Sequence, residues 1–394
     1  MNKRDVVVLG AVRSAIGTFS GALADVEPAE LAGTVMKEAV KRSGVDPKAI
    51  NYVTVGNTIP TESRFAYVAR VASIQAGLPM DSVAMAVNRL CSSGLQAIVT
   101  TAQNILLGDC DYGVGGGVEV MSRGGYLSPA MRAGARMGDT KLVDMMVATL
   151  TDPFGVGHMG ITAENLVAKW GITREEQDAL AVESHRRAAA AVAEGRFKSQ
   201  IAPIVKQTKK GDVVFDTDEH VKPSTTMETL AKMKPAFKKD GSVTAGNASG
   251  INDAASFFVL ADASVAAAAG HKPMARLVSY AVAGVPNEVM GEGPIPATRL
   301  ALKKGGLTLD KMDVIESNEA FAAQAIAVAR GLELDMKKTN PNGGAIALGH
   351  PIGASGAILA VKAVYELHRT GGRYALVTMC IGGGQGIAAV FERI

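Results

Sequence analysis

Cysteine is scarce in this sequence. Cys91, Cys110 and Cys380 are three among 394 residues, an odd number with no Cys-x-x-Cys spacing and no histidine pair at zinc-finger distance. A disulfide framework and a structural metal site are thereby excluded as the basis of the fold, and the chain is expected to be cytoplasmic and reduced. Net charge is also small. The 41 basic and 38 acidic side chains leave +3, without the concentrated basic excess of a nucleic-acid-binding protein. Long apolar runs are missing as well: Val6-Val7-Val8-Leu9 leads to Arg13 with no small-residue cleavage site, and no run approaches the ~18 apolar residues of a membrane span. Neither export nor a membrane anchor is expected. What the sequence does have is 47% apolar residues and 44 glycines, the composition of a globular protein with a large core. At roughly 100–200 residues per domain, the length corresponds to about two or three units.

Valine-rich runs alternate with longer helical patterns, the βαβ signature of an α/β protein. Strands are expected at Val6–Leu9, Tyr52–Val55, Val83–Val87, Tyr112–Val114, Val314–Ser317 and Tyr374–Thr378. A helix is expected near Ala29–Ser43. A second is marked by Leu95, Ile98, Val99, Ala102, Ile105 and Leu106 at helical spacing before Gly108. Gly115-Gly116-Gly117 marks a place where the backbone passes close to another group.

The plan repeats along the chain. Val45–Val53 lines up with Leu307–Ile315, and Cys91–Leu95 with Gly353–Ala357, both at an offset of 262 residues. After a short insertion, Gly115–Gly117 is expected to pair with Gly382–Gly384. One shared register points to an internal duplication whose halves stack as pseudo-symmetric α/β units. The expected halves are residues 1–120 with 251–272, and residues 273–394. Residues 121–250 break the pattern with Met- and Gly-rich loops and are expected to form an inserted loop domain. Within it, Thr173-Arg174-Glu175-Glu176 has the spacing of a capping box, opening a helix that runs to about Gly195.

Four polar side chains stand out: Cys91, Asn318 and Cys380 follow strands, where α/β folds build ligand sites, and His350 lies in the glycine-rich run Asn342–Gly356. Cys91 lies between a strand and a helix N-terminus, and the free N–H groups and dipole there are expected to lower its pKa. Cys380 follows a strand and precedes Gly382–Gly384. Taken singly, Cys91 reads equally well as a buried structural thiol, His350 before Pro351 as a solvated loop residue, and Asn318 as a helix N-cap. The duplication brings all four to corresponding edges of two stacked halves. Together they form a catalytic set: a nucleophile, a base, a second thiol for separate proton transfer and an amide for charge stabilisation.

Six ordered segments, Val87–Leu95, Thr244–Gly250, Asn318–Phe321, Asn340–Gly344, Gly349–Gly353 and Cys380–Gly384, resemble the motifs of the thiolase family, of the acetyl-CoA acetyltransferase and bacterial β-ketothiolase type. The resemblance covers the whole chain. It implies an α/β, duplicated thiolase fold with five layers, α-β-α-β-α, and a loop domain inserted in the N-terminal half. It also implies reversible thiolysis of a 3-ketoacyl-CoA to acetyl-CoA and a shortened acyl-CoA, or condensation of two acetyl-CoA to acetoacetyl-CoA. By that resemblance Cys91 is the acylated nucleophile, His350 takes its proton, and Cys380 protonates the departing acetyl-CoA carbanion. His350 and a water held by Asn318 would stabilise the enolate, while the N–H groups of Cys91 and Gly382 would hold the tetrahedral intermediate.

The same resemblance lays the coenzyme A arm against Ser249 and His158, with Leu150, Met159, Ala245, Phe237 and Phe321 as apolar walls. Lys222 and Thr229 fall where relatives often carry Arg and many have Ser, and a lysine keeps the charge but loses the planar fork. Residues 206–239 hold eight basic and five acidic side chains, which accounts for the whole net charge and suits a segment that meets phosphates. Acetyl-CoA, CoA and 3-ketoacyl-CoA are then substrates, with no separate cofactor and no metal, and a homotetramer built as a dimer of dimers is implied.

Other readings fit less well. A dinucleotide oxidoreductase needs G-x-G-x-x-G between its first strand and helix, and neither Gly115–Gly117 nor Gly382–Gly386 completes it. Ketoacyl synthases, chalcone-type synthases and hydroxymethylglutaryl-CoA synthases lack a counterpart of Cys380, and a non-catalytic acyl-CoA binder would not need Cys91, His350 and Cys380 intact. Arg89, Ser92, Val118-Glu119-Val120, Glu292 and Gly155-Val156-Gly157 depart from the commonest pattern. Of these, Glu292 and Gly155–Gly157 are expected to shape the acyl pocket.

Overall fold

The computed structural model describes residues 4–394 apart from residue 210. Nine strands carry the fold among the described residues: β1 Val6–Arg13, β2 Tyr52–Gly56, β3 Val83–Val87, β4 Tyr112–Val120, β5 Asn252–Asp262, β6 Ala275–Gly284, β7 Val314–Ser317, β8 Tyr374–Ile381 and β9 Gln385–Arg393. They lie in the order β3-β2-β4-β5-β1-β6-β9-β8-β7, with the two-residue strand Gly17–Thr18 added on β5. The two half-sheets meet only where Val7 and Val8 of β1 pair with Arg276 and Ala275 of β6. β1 and β5 are buried along their full length, as strands covered on both faces must be.

The helices are α1 Pro28–Ser43, α2 Val68–Gln75, α3 Ser93–Leu107, α4 Met159–Trp170, α5 Arg174–Ala193, α6 Pro294–Gly305, α7 Ala322–Leu332 and α8 Ile352–Thr370. Strand alternation sorts them into layers. Val7 and Leu9 face outward against Leu31, Val35 and Met36 of α1 and Ala72 of α2. Val6 and Val8 face inward, in one core with Leu95 and Ile98 of α3, Ala357 and Val361 of α8, and Val377 and Phe391 of the other half-sheet. Beyond that sheet, Ala301 of α6 and Val328 of α7 cover Leu376 and Val390. The result is five layers, helix-sheet-helix-sheet-helix.

The repeat is visible in the backbone. The short helical turns Pro47–Ala49 and Leu309–Lys311, the strand starts Tyr52 and Val314, and the strand starts Tyr112 and Tyr374 all stand 262 residues apart. The short insertion expected in bringing the glycine runs into register is therefore not needed, and Gly115–Gly117 do not correspond to Gly382–Gly384. They sit inside β4, which runs on to Val120, level with Val377–Met379 of β8. A Cβ on Gly117 would stand 2.0 Å from the Gly353 carbonyl oxygen, and one on Gly115 2.8 Å from that of Ala97. Glycine lets both central helices rest directly on this strand. Gly382–Gly384 instead turn the β8–β9 hairpin. Cys380 is likewise inside β8 rather than beyond its end.

Between β4 and β5 the chain makes a long excursion that contains α4, α5 and two small two-stranded sheets, 126–127 with 143–144 and 204–208 with 211–215. The capping box of α5 forms in full: Glu176 N–H donates to Thr173 Oγ1 (3.2 Å) and Thr173 N–H donates to Glu176 Oε2 (2.8 Å). The excursion is pinned to β1 by the fully buried Arg13, whose guanidinium donates to both carboxylate oxygens of Asp218 (2.7 and 2.9 Å) and to Gln200 (2.8 Å). No helix among the described residues is long and apolar enough to cross a membrane.

Candidate active site

Cys91 occupies the middle of the turn Leu90–Ser92 that joins β3 to α3, and Leu90 before it adopts a left-handed φ of 48°. Ser93 Oγ holds this turn by accepting from Arg89 N–H (2.9 Å) and donating to the Leu90 carbonyl (2.7 Å). From the other half, Gly382 directs its N–H at the Cys91 sulfur, as does Cys91 itself. Cys380, at the end of β8, faces the same thiol.

His350 lies between a short helix, Ala345–Leu348, and α8. It is 6% exposed, so the solvated-loop reading of its segment fails. Its N–H donates to Asn252 Oδ1 (3.0 Å), and Gly349, at φ 108°, leaves no room for a Cβ beside that amide. Ser355 Oγ donates to the Pro351 carbonyl (2.9 Å) and stands 2.6 Å from His350 Nδ1. The hydroxyl proton being spent, Ser355 accepts from Nδ1–H, which leaves Nε2 as the free lone pair. Asn318 Nδ2 is 3.5 Å from that Nε2, and its Oδ1 is buried without a protein partner. Asn318 does not cap a helix, because α7 starts only at Ala322 and Phe321 takes the N-cap position.

Burial sets the protonation states. It pushes His350 down to about 4 and Cys91 up to about 11, and raises Cys380 with help from the Cys91 charge. The expected helix-driven lowering of the Cys91 pKa is thus overturned. The residue sits in a tight turn two residues ahead of α3, and desolvation together with the nearby Glu119 charge outweighs the two N–H groups. At neutral pH the centre holds a neutral imidazole and two protonated thiols. Cys110 is packed in the central core and lies apart from the site.

These groups line a cavity of about 320 Å³. Cys91, His350, Cys380 and Gly382 are joined in its wall by Leu150, His158, Met159, Phe237, Ala245, Ser249 and Phe321. Its aromatic side is locked: His158 stacks on Phe237 (centroids 4.8 Å), Phe237 meets Phe321 edge-on (5.9 Å), and His158 Nδ1 accepts from Gly160 N–H (3.1 Å) as the N-cap of α4. Ser249 Oγ donates to the Ala320 carbonyl (3.0 Å). Asn318 stands behind His350 rather than in the wall. Lys222 and Thr229 are exposed and outside it, with Thr229 Oγ1 engaged by the Thr226 N–H (3.0 Å).

Glu292 and Gly155–Gly157, expected at the acyl pocket, do not line the cavity. Glu292 binds Lys169 (2.8 Å) and the Trp170 indole N–H (2.7 Å), tying α4 to the turn after β6. Sequence reasoning missed Leu90, Met121, Thr149, Met290 and Ile352 in the wall, and Ser355, Asn252 and Glu119 behind it. Ser355 was within reach as a hydroxyl one turn beyond His350-Pro351, and Glu119 as a charge in an otherwise apolar strand. Met290 carries no such signal.

Residues 6–264 match the family model of the thiolase N-terminal domain, and residues 271–393 that of the thiolase C-terminal domain. The chain is 57% identical over 392 residues to Beta-ketothiolase BktB of Cupriavidus necator, covering 99% of this chain and 100% of that protein. It is 51% identical over 396 residues to an acetyl-CoA acetyltransferase of Syntrophomonas wolfei, again covering 99% and 100%. Human mitochondrial 3-ketoacyl-CoA thiolase superposes with a TM-score of 0.97 at 43% identity, over 100% of both chains.

Proposed function

The chain belongs to the thiolase family, and from that premise we propose how its own residues carry out acyl transfer between a cysteine thioester and coenzyme A. The reaction is thiolysis of a 3-ketoacyl-CoA, or its reverse, the condensation of two acetyl-CoA. The observation that carries the residue roles is the meeting of two thiols and one neutral imidazole in a single cavity.

His350 Nε2, freed by the Ser355 contact, takes the proton of Cys91, and the thiolate attacks the 3-keto carbon. Negative charge on the former keto oxygen is met by the N–H groups of Cys91 and Gly382, already directed to this sulfur. Collapse of the intermediate breaks the C2–C3 bond, leaves the acyl group on Cys91, and releases acetyl-CoA as its enolate. The imidazolium formed in the first step donates to the enolate oxygen, and the free Oδ1 of Asn318 suits it to hold a water there. Cys380 gives its proton to the carbanion carbon. CoA then enters, loses its thiol proton to the Cys380 thiolate, and takes the acyl group from Cys91, whose departing thiolate recovers its proton from the His350 imidazolium. A second thiol with a raised pKa fits this task, since a carbon acid is deprotonated in the reverse direction only by a strong base.

Residues 121–250 supply the arm that binds coenzyme A, with pantetheine between Ser249, His158 and the Phe237–Phe321 wall. Lys234, Lys238 and Lys239 are exposed on either side of Ala236 and Phe237, which line the cavity, and suit the phosphates. Coenzyme A acts as substrate, and no further cofactor is needed for this chemistry. The same reading makes the protein a cytoplasmic homotetramer of fatty-acid metabolism. Two surfaces support assembly: the open edge of β3, with Val83 exposed, and the exposed Tyr126, Leu127, Met131 and Met137 of the excursion.

The test is thiolysis of acetoacetyl-CoA and longer 3-ketoacyl-CoA esters, with rapid quench and mass spectrometry of the protein. Turnover with the acyl mass on Cys91 is expected. An acyl adduct elsewhere would overturn the roles given above.

A further inference from the structure

Glu119 is the one charged side chain of β4, and it is fully buried. Four N–H groups converge on its carboxylate. Oε1 accepts from Asn57 Nδ2 (2.9 Å) and Ile59 N (3.1 Å), and Oε2 from Thr58 N (3.1 Å) and Gly353 N (2.9 Å). Every partner is a donor, so the ionised carboxylate satisfies all four, whereas a protonated one would set O–H against N–H.

The four donors belong to the two sides of the catalytic centre. Asn57, Thr58 and Ile59 form the turn after β2, and the Thr58 hydroxyl reaches the Leu90 carbonyl (3.4 Å) and Ser93 Oγ (3.3 Å), on either side of Cys91. Gly353 opens α8, three residues after His350. A Cβ on Gly353 would stand 2.5 Å from Glu119 Oε2, so the contact depends on glycine there. The titratable group facing this carboxylate is Cys91, from the nucleophile turn. Asn57, Thr58, Ile59, Val118 and Gly353 carry none.

We propose that Glu119 is a positioning residue of acyl transfer: its carboxyl group fixes the Cys91 turn against the His350 turn, and where it is ionised its charge holds the Cys91 proton. The inference rests on the roles given to Cys91 and His350 above. Its electrostatic half agrees with the direction in which the Glu119 charge moves Cys91, upward. Burial pushes Glu119 itself to about 8 against the pull of its donors, so the charge effect is read above that pH.

The test compares the intact enzyme with Glu119→Gln and Glu119→Asp, measuring kcat, KM for CoA, melting temperature, and the pH dependence of iodoacetamide alkylation at Cys91. Glu119→Gln sets an amide against N–H donors and removes the charge. A loss of kcat up to about 100-fold is expected, with KM within about twofold and the alkylation midpoint lowered by about one pH unit. Glu119→Asp is expected to lose kcat while keeping the wild-type alkylation midpoint. Unchanged kcat and midpoint in Glu119→Gln would overturn the proposal, and so would a kcat loss that tracks melting temperature with no midpoint shift. Should Glu119→Gln fail to fold, Thr58→Val keeps the backbone N–H to Glu119 but removes the hydroxyl, which cuts its links to Leu90 and Ser93 and its contact with the carboxyl group of Glu119. Lower kcat with an unmoved midpoint supports the clamp, and wild-type kcat overturns it. Acyl mapping in the wild-type enzyme separates this outcome from failure of the Cys91 assignment.

Discussion

The connection from β8 to β9 is three glycines, Gly382–Gly384, whereas the equivalent connection from β4 to β5 runs from Met121 to Ile251. Two copies of one scaffold thus differ mainly in a single loop, and the difference divides the labour. The tight hairpin, with Gly383 and Gly384 at φ 77° and 88°, holds Gly382 N–H at the Cys91 sulfur and Cys380 beside it. The long connection brings Leu150, His158, Met159, Phe237 and Ser249 over the same point. Entropy permits this asymmetry, because the cost of closing a loop grows only slowly with its length. The long loop is in any case not slack: Arg13–Asp218 and the α5 capping box tie it down. On the proposed roles, the short half supplies proton chemistry, and the long half supplies the nucleophile and the binding arm.

The strongest way to break that division is at the two thiols. On the proposed roles Cys91→Ala removes the sulfur that carries the acyl group, and turnover is expected to fall by at least about 10⁴-fold, the scale for losing one member of a catalytic unit. Measurable thiolysis at a tenth of the wild-type rate would contradict the assignment. Cys380→Ala should separate the half-reactions. Exchange of the acetyl-CoA α-proton with solvent is expected to fall by about 10²–10⁴-fold while Cys91 still becomes acylated by acetyl-CoA. Full exchange in this variant would return the proton step to the other half of the molecule.

The same comparison explains what was legible in the sequence. The strand at Val314–Ser317, the capping box at Thr173 and the 262-residue register are local patterns, and each matches the backbone. The glycine runs misled because their chemistry is shared while their reasons differ. Gly117 is small to admit the Gly353 carbonyl, and Gly383 is glycine because its φ is positive. The sequence predicts β3 only as a strand, and its place at the sheet edge with Val83 exposed is something an apolar run cannot reveal. Cys91, His350 and Cys380 could be found because each carries reactive atoms. Met290 and Met121 could not, since a methionine in the cavity wall is indistinguishable in sequence from one in the core. The lowering expected for Cys91 failed for a related reason: proximity to a helix start is visible in sequence, and desolvation is not.

Packing between the halves gives a second way to sharpen the comparison. Gly117 of β4 and Met379 of β8 stand 262 residues apart, and both face the central helices, Gly117 against Gly353 and Met379 against Gly356. Opposite changes should damage them by different routes. Gly117→Ala overpacks against rigid backbone and is expected to cost about 3 kcal/mol, the upper end for overpacking. Met379→Ala opens a cavity, at about 2–5 kcal/mol, and small apolar ligands should partly restore its stability but not that of Gly117→Ala. Chemical denaturation of both variants measures this, and equal rescue of the two would show that the halves are packed alike.

The smallest expected effect concerns the arm alone. Lys234 and Lys238 are exposed, so each contributes at most about 1 kcal/mol to holding a phosphate, and salt screens that contribution. Reversing both, Lys234→Glu with Lys238→Glu, is expected to raise KM for CoA by about five- to tenfold at low ionic strength and by less at high salt. Turnover at saturating CoA should stay near wild type, because neither side chain lines the cavity that holds Cys91 and Cys380. A truncated thiol substrate that ends at pantetheine has no phosphates to lose, and its KM should not change. If the double variant altered kcat with pantetheine as well, the long connection would be part of the chemistry, and its assignment as a binding arm alone would have to be abandoned.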